Sequence, residues 1–150
     1  MFPRKVIKGK KVDFQVLSRD LAGSARPKVP HIVISITNSD KTFCSIPSND
    51  DRLGLLRIKF DDIDNVPRNA KYEDKVVFNE EHAKKIADFV KEHLVDAELI
   101  VINCEAGRSR SAGVAMALHK WIEGGRGIFN REFSPNQRVY SILRKELTGE

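Results

Sequence analysis

The sequence has few of the residues that would indicate a disulfide framework, a metal centre or a membrane span. Its 150 residues include 2 cysteines and 4 histidines, and the histidines lack the spacing of metal ligands. No apolar run approaches the roughly 18 residues that a spanning helix needs, and the basic start, Met1–Val12, contains no apolar stretch of signal-peptide length. We therefore expect no metal and no membrane contact. A chain that keeps reactive thiols is expected in a reducing, cytoplasmic setting.

The composition is typical of a globular protein with a core of its own. Hydrophobic residues make up 41% and charged residues 31% of the chain. We expect one domain over 1–150, monomeric by default, with a basic N-terminal segment, 1–11, that is a solvated, flexible tail. The net charge of +5 favours anionic partners, such as a phosphorylated protein or a small phosphate ester. Nucleic acid is not favoured, because the N-terminal lysines have few aromatic residues among them.

The segment 104–111 reads Cys-Glu-Ala-Gly-Arg-Ser-Arg-Ser and lies between an apolar run, 99–102, and a helix-like stretch, 113–122. Gly107 permits the positive φ that a tight turn needs, and the backbone amides around it can form an anion-binding nest. Arg110 carries a planar fork that matches two phosphate oxygens. The pattern predicts a phosphate-binding loop made of Glu105, Ala106, Gly107, Arg108, Ser109 and Arg110.

Cys104 is the predicted nucleophile at the start of this loop. A thiol attacks phosphorus only as the thiolate, which is the minor form of a free cysteine near pH 7. The inward amides, the positive end of the following helix and the hydroxyl of Ser111 can each stabilise that thiolate. The sequence therefore predicts a site that binds a phosphate and attacks it with sulfur.

Displacement at phosphorus also needs a proton donor for the leaving oxygen. No aspartate occurs after Asp96, so an aspartic acid donor must come from upstream of the loop. The candidates are Asp61, Asp62 and Asp64, which follow a predicted strand, 55–60. Three carboxylates at one strand exit repel one another, which predicts a raised pKa for at least one of them.

At this point the residues resemble the dual-specificity branch of the cysteine-based protein tyrosine phosphatases. That family's loop reads His-Cys-x-x-Gly-x-Ser-Arg-Ser, and the matching residues here are Cys104, Gly107, Ser109, Arg110 and Ser111. The resemblance covers about 31 to 147. Its spacing favours Asp62 as the general acid, and its last helix begins with Ser-Pro-Asn, here 134–136. Asn136 would then support the loop or place the attacking water.

The resemblance implies hydrolysis of a phosphomonoester through a phosphocysteine, with no metal or other cofactor. One departure is Asn103, which stands where the family has the histidine that orients the loop and helps to set the acidity of the thiol. An asparagine there can still form a hydrogen bond across the loop. An inactive or weakly active phosphate-binding relative therefore stays open, as does a phosphatase acting on RNA 5′ ends or inositol phosphates.

The expected fold class is α/β, with a central, largely parallel sheet of four or five strands flanked by helices. Strands are predicted at 12–17, 31–37, 55–60 and 99–102. Helices are predicted after a cap at Asn79, over 113–122 until Gly124–Gly127, and from Ser134 as cap with Pro135 in the first turn. Such a sheet presents the loop at the carboxyl ends of its strands, where ligands bind.

Overall fold

The computed structural model describes residues 11–64, 75–124 and 133–149. The N-terminal tail predicted over 1–11 lies almost wholly outside these residues. The described elements, in chain order, are β1 (Asp13–Leu17), α1 (Arg19–Ala22), β2 (His31–Thr37), β3 (Arg52–Lys59), α2 (Glu80–His93), β4 (Leu99–Asn103), α3 (Arg110–Glu123) and α4 (Gln137–Thr148). None of these helices is long and apolar enough to cross a membrane.

The strands form one sheet in the order β1-β4-β2-β3, and every neighbouring pair is parallel. The expected class, a parallel sheet flanked by helices, is thereby confirmed. Because all strands run the same way, their carboxyl ends meet at one edge. The chain that leaves β4 there emerges between the ends of β1 and β2, so the loop after Asn103 lies at the centre of that edge.

The main core lies between one face of the sheet and helices α2, α3 and α4. β2 is buried along its whole length, and Ile32, Ile34 and Ile36 project from it into this core together with Ile100 and Ile102 of β4. Alternate residues of a strand point to opposite faces, so these five isoleucines share one face. Helix α4 packs against both α2 and α3, which places its first turn beside the first turn of α3.

Helix α2 begins as its sequence predicts. Asn79 is the N-cap, and its side chain accepts hydrogen bonds from the backbone amides of Glu81 and His82. His82 returns the interaction, because its Nδ1 accepts from the amide of Asn79 at 3.0 Å. The residues that α2 buries are Ala83, Ile86, Ala87 and Val90, spaced as one face of a helix requires.

Helix α4 begins later than predicted. Its N-cap is Asn136, whose Oδ1 accepts from the amide of Val139 at 3.0 Å. The expectation that Ser134 caps the helix and Pro135 opens it is wrong. The backbone amide of Ser134 instead donates to the carbonyl of Arg108 at 2.9 Å, so this residue connects the helix to the loop after β4.

Smaller differences concern the ends of the elements and one additional helix. β3 begins at Arg52, three residues before the predicted strand, and β4 ends at Asn103, one residue after the predicted end. The short helix α1 has no counterpart among the predicted elements. Gly124 ends α3 with a φ of 78°, as predicted, whereas the rest of the predicted terminator, 125–127, lies outside the described residues.

Candidate active site

The segment between β4 and α3 is a tight loop whose carbonyls are held from outside. The carbonyl of Glu105 accepts from the amide of Arg19 at 3.1 Å. The carbonyl of Ser109 accepts from the amides of Gly113 at 2.9 Å and Asn136 at 3.0 Å. Together with the bond between Ser134 and Arg108, these contacts fix the loop to α1 and to the start of α4.

The amides of this loop consequently face away from those partners. In a trans peptide the C=O and the following N–H point in opposite directions, and no cis peptide occurs among the described residues. The amides that follow the three held carbonyls belong to Ala106, Ser109 and Arg110. Within the described part of the chain, no amide from Glu105 to Ser109 donates a hydrogen bond. The loop thus offers a set of unpaired donors, the arrangement that binds an anion.

Gly107 is required at its position for two reasons. Its φ is +72°, in the left-handed region that glycine adopts freely. A Cβ at this residue would also lie 2.5 Å from the carbonyl carbon of Leu17 and 2.6 Å from the amide nitrogen of Ser18. The loop therefore packs directly on the chain that leaves β1.

Cys104 is 2% exposed at the base of the loop. Its Sγ lies 3.1 Å from the Oγ of Ser111, in the first turn of α3. Helix α3 points its N-terminus toward this loop, where its free amides and dipole favour negative charge. The predicted nucleophile and its predicted hydroxyl partner are thus in contact.

Arg110 is the last residue of the loop and the first of α3, and it is 4% exposed. Its Nη1 donates to the carbonyl of Phe60 at 2.8 Å, which ties the guanidinium to the end of β3. Its Nε is buried and has no partner among the described residues. A buried N–H without an acceptor costs free energy, so the guanidinium retains a donor for an anionic ligand.

The three carboxylates after β3 take different partners. Asp61 accepts from Ser39 and Val76. The Oδ1 of Asp62 accepts from the Ser109 hydroxyl at 2.8 Å and from the Asn136 side-chain amide at 2.9 Å. The Oδ1 of Asp64 accepts from the backbone amides of Gln137 and Arg138 at 2.7 and 3.2 Å. Of the three, Asp62 is therefore the one bound to the loop after β4.

Asp61 is not an acid with the raised pKa that mutual repulsion predicts for at least one of the three. Burial by itself raises the pKa of this carboxyl, but hydrogen bonds from the side chain of Ser39 and from the backbone of Val76 and Ser39 outweigh it. The net result is a pKa below the usual 3.8. The hydrogen bonds from Ser39 and Val76 therefore favour the ionised form of Asp61.

Asn136 connects the parts of the site. Its backbone amide donates to the carbonyl of Ser109, its side-chain Nδ2 donates to Asp62, and its Oδ1 caps α4. It is 1% exposed. These contacts require α3 and α4 to approach each other closely. Gly113 of α3 permits this approach, because a Cβ there would lie 2.8 Å from the carbonyl oxygen of Asn136.

Asn103 does not form the hydrogen bond across the loop that its sequence position suggests. It is fully buried, and neither its Oδ1 nor its Nδ2 has a partner among the described residues. It is in register with Ser35 of β2, so both side chains project from the same face of the sheet. The hydroxyls of Ser35 and Thr37 on that face are also buried without a partner.

Sequence reasoning missed Ser39, which holds Asp61 from 22 positions away. No pattern in the chain relates the two residues, because the contact arises from the adjacency of β2 and β3 in the sheet. The loop residue Glu105 has a comparable contact, an ion pair of 3.1 Å with Lys41. The second cysteine, Cys44, is a buried free thiol, and burial raises its pKa above the usual 9.0.

The chain has a dual-specificity-like protein tyrosine phosphatase fold: a parallel sheet of four described strands, with a cysteine loop between β4 and the buried helix α3. Two solved structures carry this assignment. Human DUSP28 matches with a TM-score of 0.56 and 18% identity, over 91% of this chain and 92% of that chain. Tk-PTP, solved in its active form, matches with a TM-score of 0.50 and 16% identity, over 97% and 99%.

These likenesses establish the fold at low sequence identity, and the expected resemblance is confirmed at that level. No family model matches the sequence, and no curated protein does either.

Proposed function

We propose that this protein is a cysteine-dependent phosphomonoester hydrolase of the protein tyrosine and dual-specificity phosphatase type. The substrate class is a phosphorylated protein, with phosphotyrosine first and phosphoserine or phosphothreonine second. The proposal rests on the contact geometry of the site and on the fold.

One observation carries the proposal above the others. The loop presents unpaired amides and a buried, partly unpaired guanidinium around Cys104, while Ser109 of the same loop holds Asp62. Nucleophile, anion-binding donors and carboxyl group therefore converge on one loop. That convergence is what an in-line displacement at phosphorus requires.

In the first step the thiolate of Cys104 attacks phosphorus, and an S–P bond forms as the P–O bond to the leaving group breaks. The loop amides and Arg110 stabilise the charge on the three remaining oxygens. Asp62 gives its proton to the leaving oxygen. Its Oδ1 is occupied by Ser109 and Asn136, whereas its Oδ2 accepts no hydrogen bond within the described residues, so Oδ2 is the atom assigned to the proton.

In the second step water attacks the phosphocysteine. Asp62, now a carboxylate, accepts a proton from the water as the S–P bond breaks and the thiolate of Cys104 is restored. Ser111 supports this return, because its hydroxyl lies within hydrogen-bond distance of the sulfur. Inorganic phosphate leaves the loop.

The test is hydrolysis of para-nitrophenyl phosphate by wild type, Cys104→Ser and the matched control Cys44→Ser. Turnover should disappear in Cys104→Ser and persist in Cys44→Ser. Asp62→Asn should lower kcat by about a hundredfold and remove the basic limb of the pH–rate profile, whereas Asp96→Asn, on the exposed surface after α2, should behave as wild type. Equal turnover by wild type and Cys104→Ser would refute the proposal.

Asn103 favours a second candidate, a phosphate-binding protein with little or no activity. Its side chain makes no hydrogen bond to the loop among the described residues, so the residue before the nucleophile does not orient it through its side chain. This candidate predicts that tungstate binds the loop and that Arg110→Lys abolishes the binding, without any turnover that depends on Cys104.

A further inference from the structure

Asp61 is held more firmly than the other two acids of its segment. Its Oδ1 accepts from the amide of Ser39 at 3.0 Å, and its Oδ2 accepts from the hydroxyl of Ser39 at 2.6 Å and the amide of Val76 at 2.8 Å. Its own amide donates to the carbonyl of Val76 at 2.7 Å. It is 7% exposed, so water competes little for these bonds.

This attachment lies one residue before Asp62. The amide of Phe60, on the other side of Asp61, donates to the carbonyl of Thr37 at 3.1 Å, and the carbonyl of Phe60 accepts from Arg110. The backbone that leads into Asp62 is thus fixed by the end of β2 and by the guanidinium of the loop.

Asp62 itself is exposed and depends on its neighbours for its position. After it, Asp64 attaches the chain to the first turn of α4. Asp61 and Asp64 are attached on either side of Asp62. The exposed side chain of Asp62 can therefore be held at one position over the loop, although it is not itself buried.

We propose that Ser39, acting through Asp61, is a positioning residue for Asp62 in proton transfer to the leaving group. The inference rests on the proposed function and extends it to a residue outside the recognised motif. Ser39 sets the angle at which the acid segment, residues 61–64, leaves β3. This angle determines the distance from Oδ2 of Asp62 to the leaving oxygen.

The same hydrogen bonds divide the work between the two neighbouring acids. The donors around Asp61 hold its pKa below the usual 3.8, so it stays ionised and serves as an acceptor. Both of its oxygens accept hydrogen bonds, whereas Oδ2 of Asp62 accepts none among the described residues. Asp61 is thereby assigned to structure and Asp62 to proton transfer.

The segment that contains Ser39 also reaches the phosphate loop. Lys41, two residues further, forms an ion pair with Glu105. Both of its residues are partly exposed, so the pair contributes little stability by itself. The short segment 39–41 nevertheless contacts both Asp61, through Ser39, and the loop after β4, through Lys41.

The experiment compares wild type, Ser39→Ala, Ser39→Thr and the control Ser48→Ala, an exposed serine of the same connection. The substrates are aryl phosphates with increasingly basic phenol leaving groups, from para-nitrophenyl to phenyl phosphate. Proton donation matters more as the leaving phenol becomes more basic. Ser39→Ala should therefore lower kcat/KM, which reports the first step, by roughly tenfold for phenyl phosphate and much less for para-nitrophenyl phosphate. Ser39→Thr should restore most of the loss, and Ser48→Ala should match wild type.

A uniform fall of kcat/KM across the series, or no fall, would overturn the positioning role while the proposed function stands. A wild type without turnover dependent on Cys104 would refute the proposed function instead. If the wild type shows no such turnover, the positioning role can still be tested by NMR, from the carboxyl carbon resonances of 13C-labelled aspartate. Ser39→Ala should raise the titration midpoint of Asp61 and displace the resonance of Asp62, and an unchanged Asp62 resonance would overturn the inference.

Discussion

At the scale of single residues, Gly107 links the backbone of the site to its chemistry. Its positive φ turns the loop, and the absence of a Cβ lets the loop approach Leu17 and Ser18. Gly124, at the end of α3, has a nearly equal φ of 78° but no atom within 4 Å of where a Cβ would be. An alanine at Gly124 would therefore cost only the free energy of the left-handed backbone conformation, whereas an alanine at Gly107 would add the free energy of a steric clash.

We predict that Gly124→Ala lowers the free energy of unfolding by about 1 kcal/mol, the cost of a left-handed alanine, and leaves tungstate binding as in wild type. Gly107→Ala should be more destabilising, because the new methyl group meets backbone rather than a movable side chain. It should also abolish tungstate binding, since relief of the clash moves the amides. Urea unfolding and calorimetric titration measure the two effects, and an alanine at 107 that binds tungstate as wild type would contradict the account.

The residues of the loop could be predicted because they lie together in the sequence, whereas Asp62 and Asn136 were named through the family resemblance. Cys104, Gly107, Arg110 and Ser111 occur within eight positions, and the loop brings them together by local geometry. Ser39 could not be found in this way, because its contact with Asp61 depends on which strands are neighbours in the sheet. The missing hydrogen bond of Asn103 has the same origin, since its side chain follows the register of β4 with β2.

At the scale of elements, the N-terminus of α2 contains a cap that depends on pH. Burial, with a contribution from Lys85, holds the pKa of His82 below the usual 6.5. The neutral ring can accept the amide of Asn79 through Nδ1, whereas the protonated ring has only donors. The cap is therefore complete when His82 is neutral.

Because the folded-state pKa of His82 lies below the unfolded value, its stabilising effect is fully present above pH 6.5 and is lost as the pH falls through the folded pKa. We predict that His82→Gln, whose amide oxygen accepts the same bond without titrating, weakens this pH dependence. Asn79→Ala should instead lower the free energy of unfolding by about 1 kcal/mol while His82 still titrates. Thermal unfolding followed at neutral and mildly acidic pH measures both variants, and an equal pH slope in wild type and His82→Gln would contradict the prediction.

The contrast between α2 and α4 explains why some element ends could be predicted and others could not. Asn79 is the single strong cap before α2, so local preference decides. Before α4 stand Ser134 and Asn136, both good caps, and the choice is made by tertiary contacts. The amide of Ser134 donates to the carbonyl of Arg108, and the side chain of Asn136 donates to Asp62. Helix-capping preferences contain no information about such tertiary contacts.

At the scale of the whole molecule, hydrogen bonds of the acid segment join parts that are remote in the chain. Asp62 and Asn136 are 74 positions apart, and Asp64 and Gln137 are 73 apart. These bonds connect the end of β3 to the start of α4 across the loop between β4 and α3. The alternation of strands and helices was sufficient to predict a parallel sheet, but the pattern of bonds over its carboxyl edge depends on the strand order β1-β4-β2-β3.

Acid should weaken the attachment of this segment to Ser39 and Val76 as Asp61 becomes protonated. Its pKa lies below 3.8 in the folded protein, so its contribution to stability is fully present above that value and is lost as the pH falls through the folded pKa. We predict that the difference in unfolding free energy between wild type and Asp61→Asn is largest above pH 3.8 and shrinks below it, as measured by urea unfolding at a series of pH values. Asp96→Asn, at an exposed site, should follow wild type throughout. A difference that stays constant or grows as the pH falls would mean that the ionised carboxylate of Asp61 is not what holds the acid segment to Ser39 and Val76.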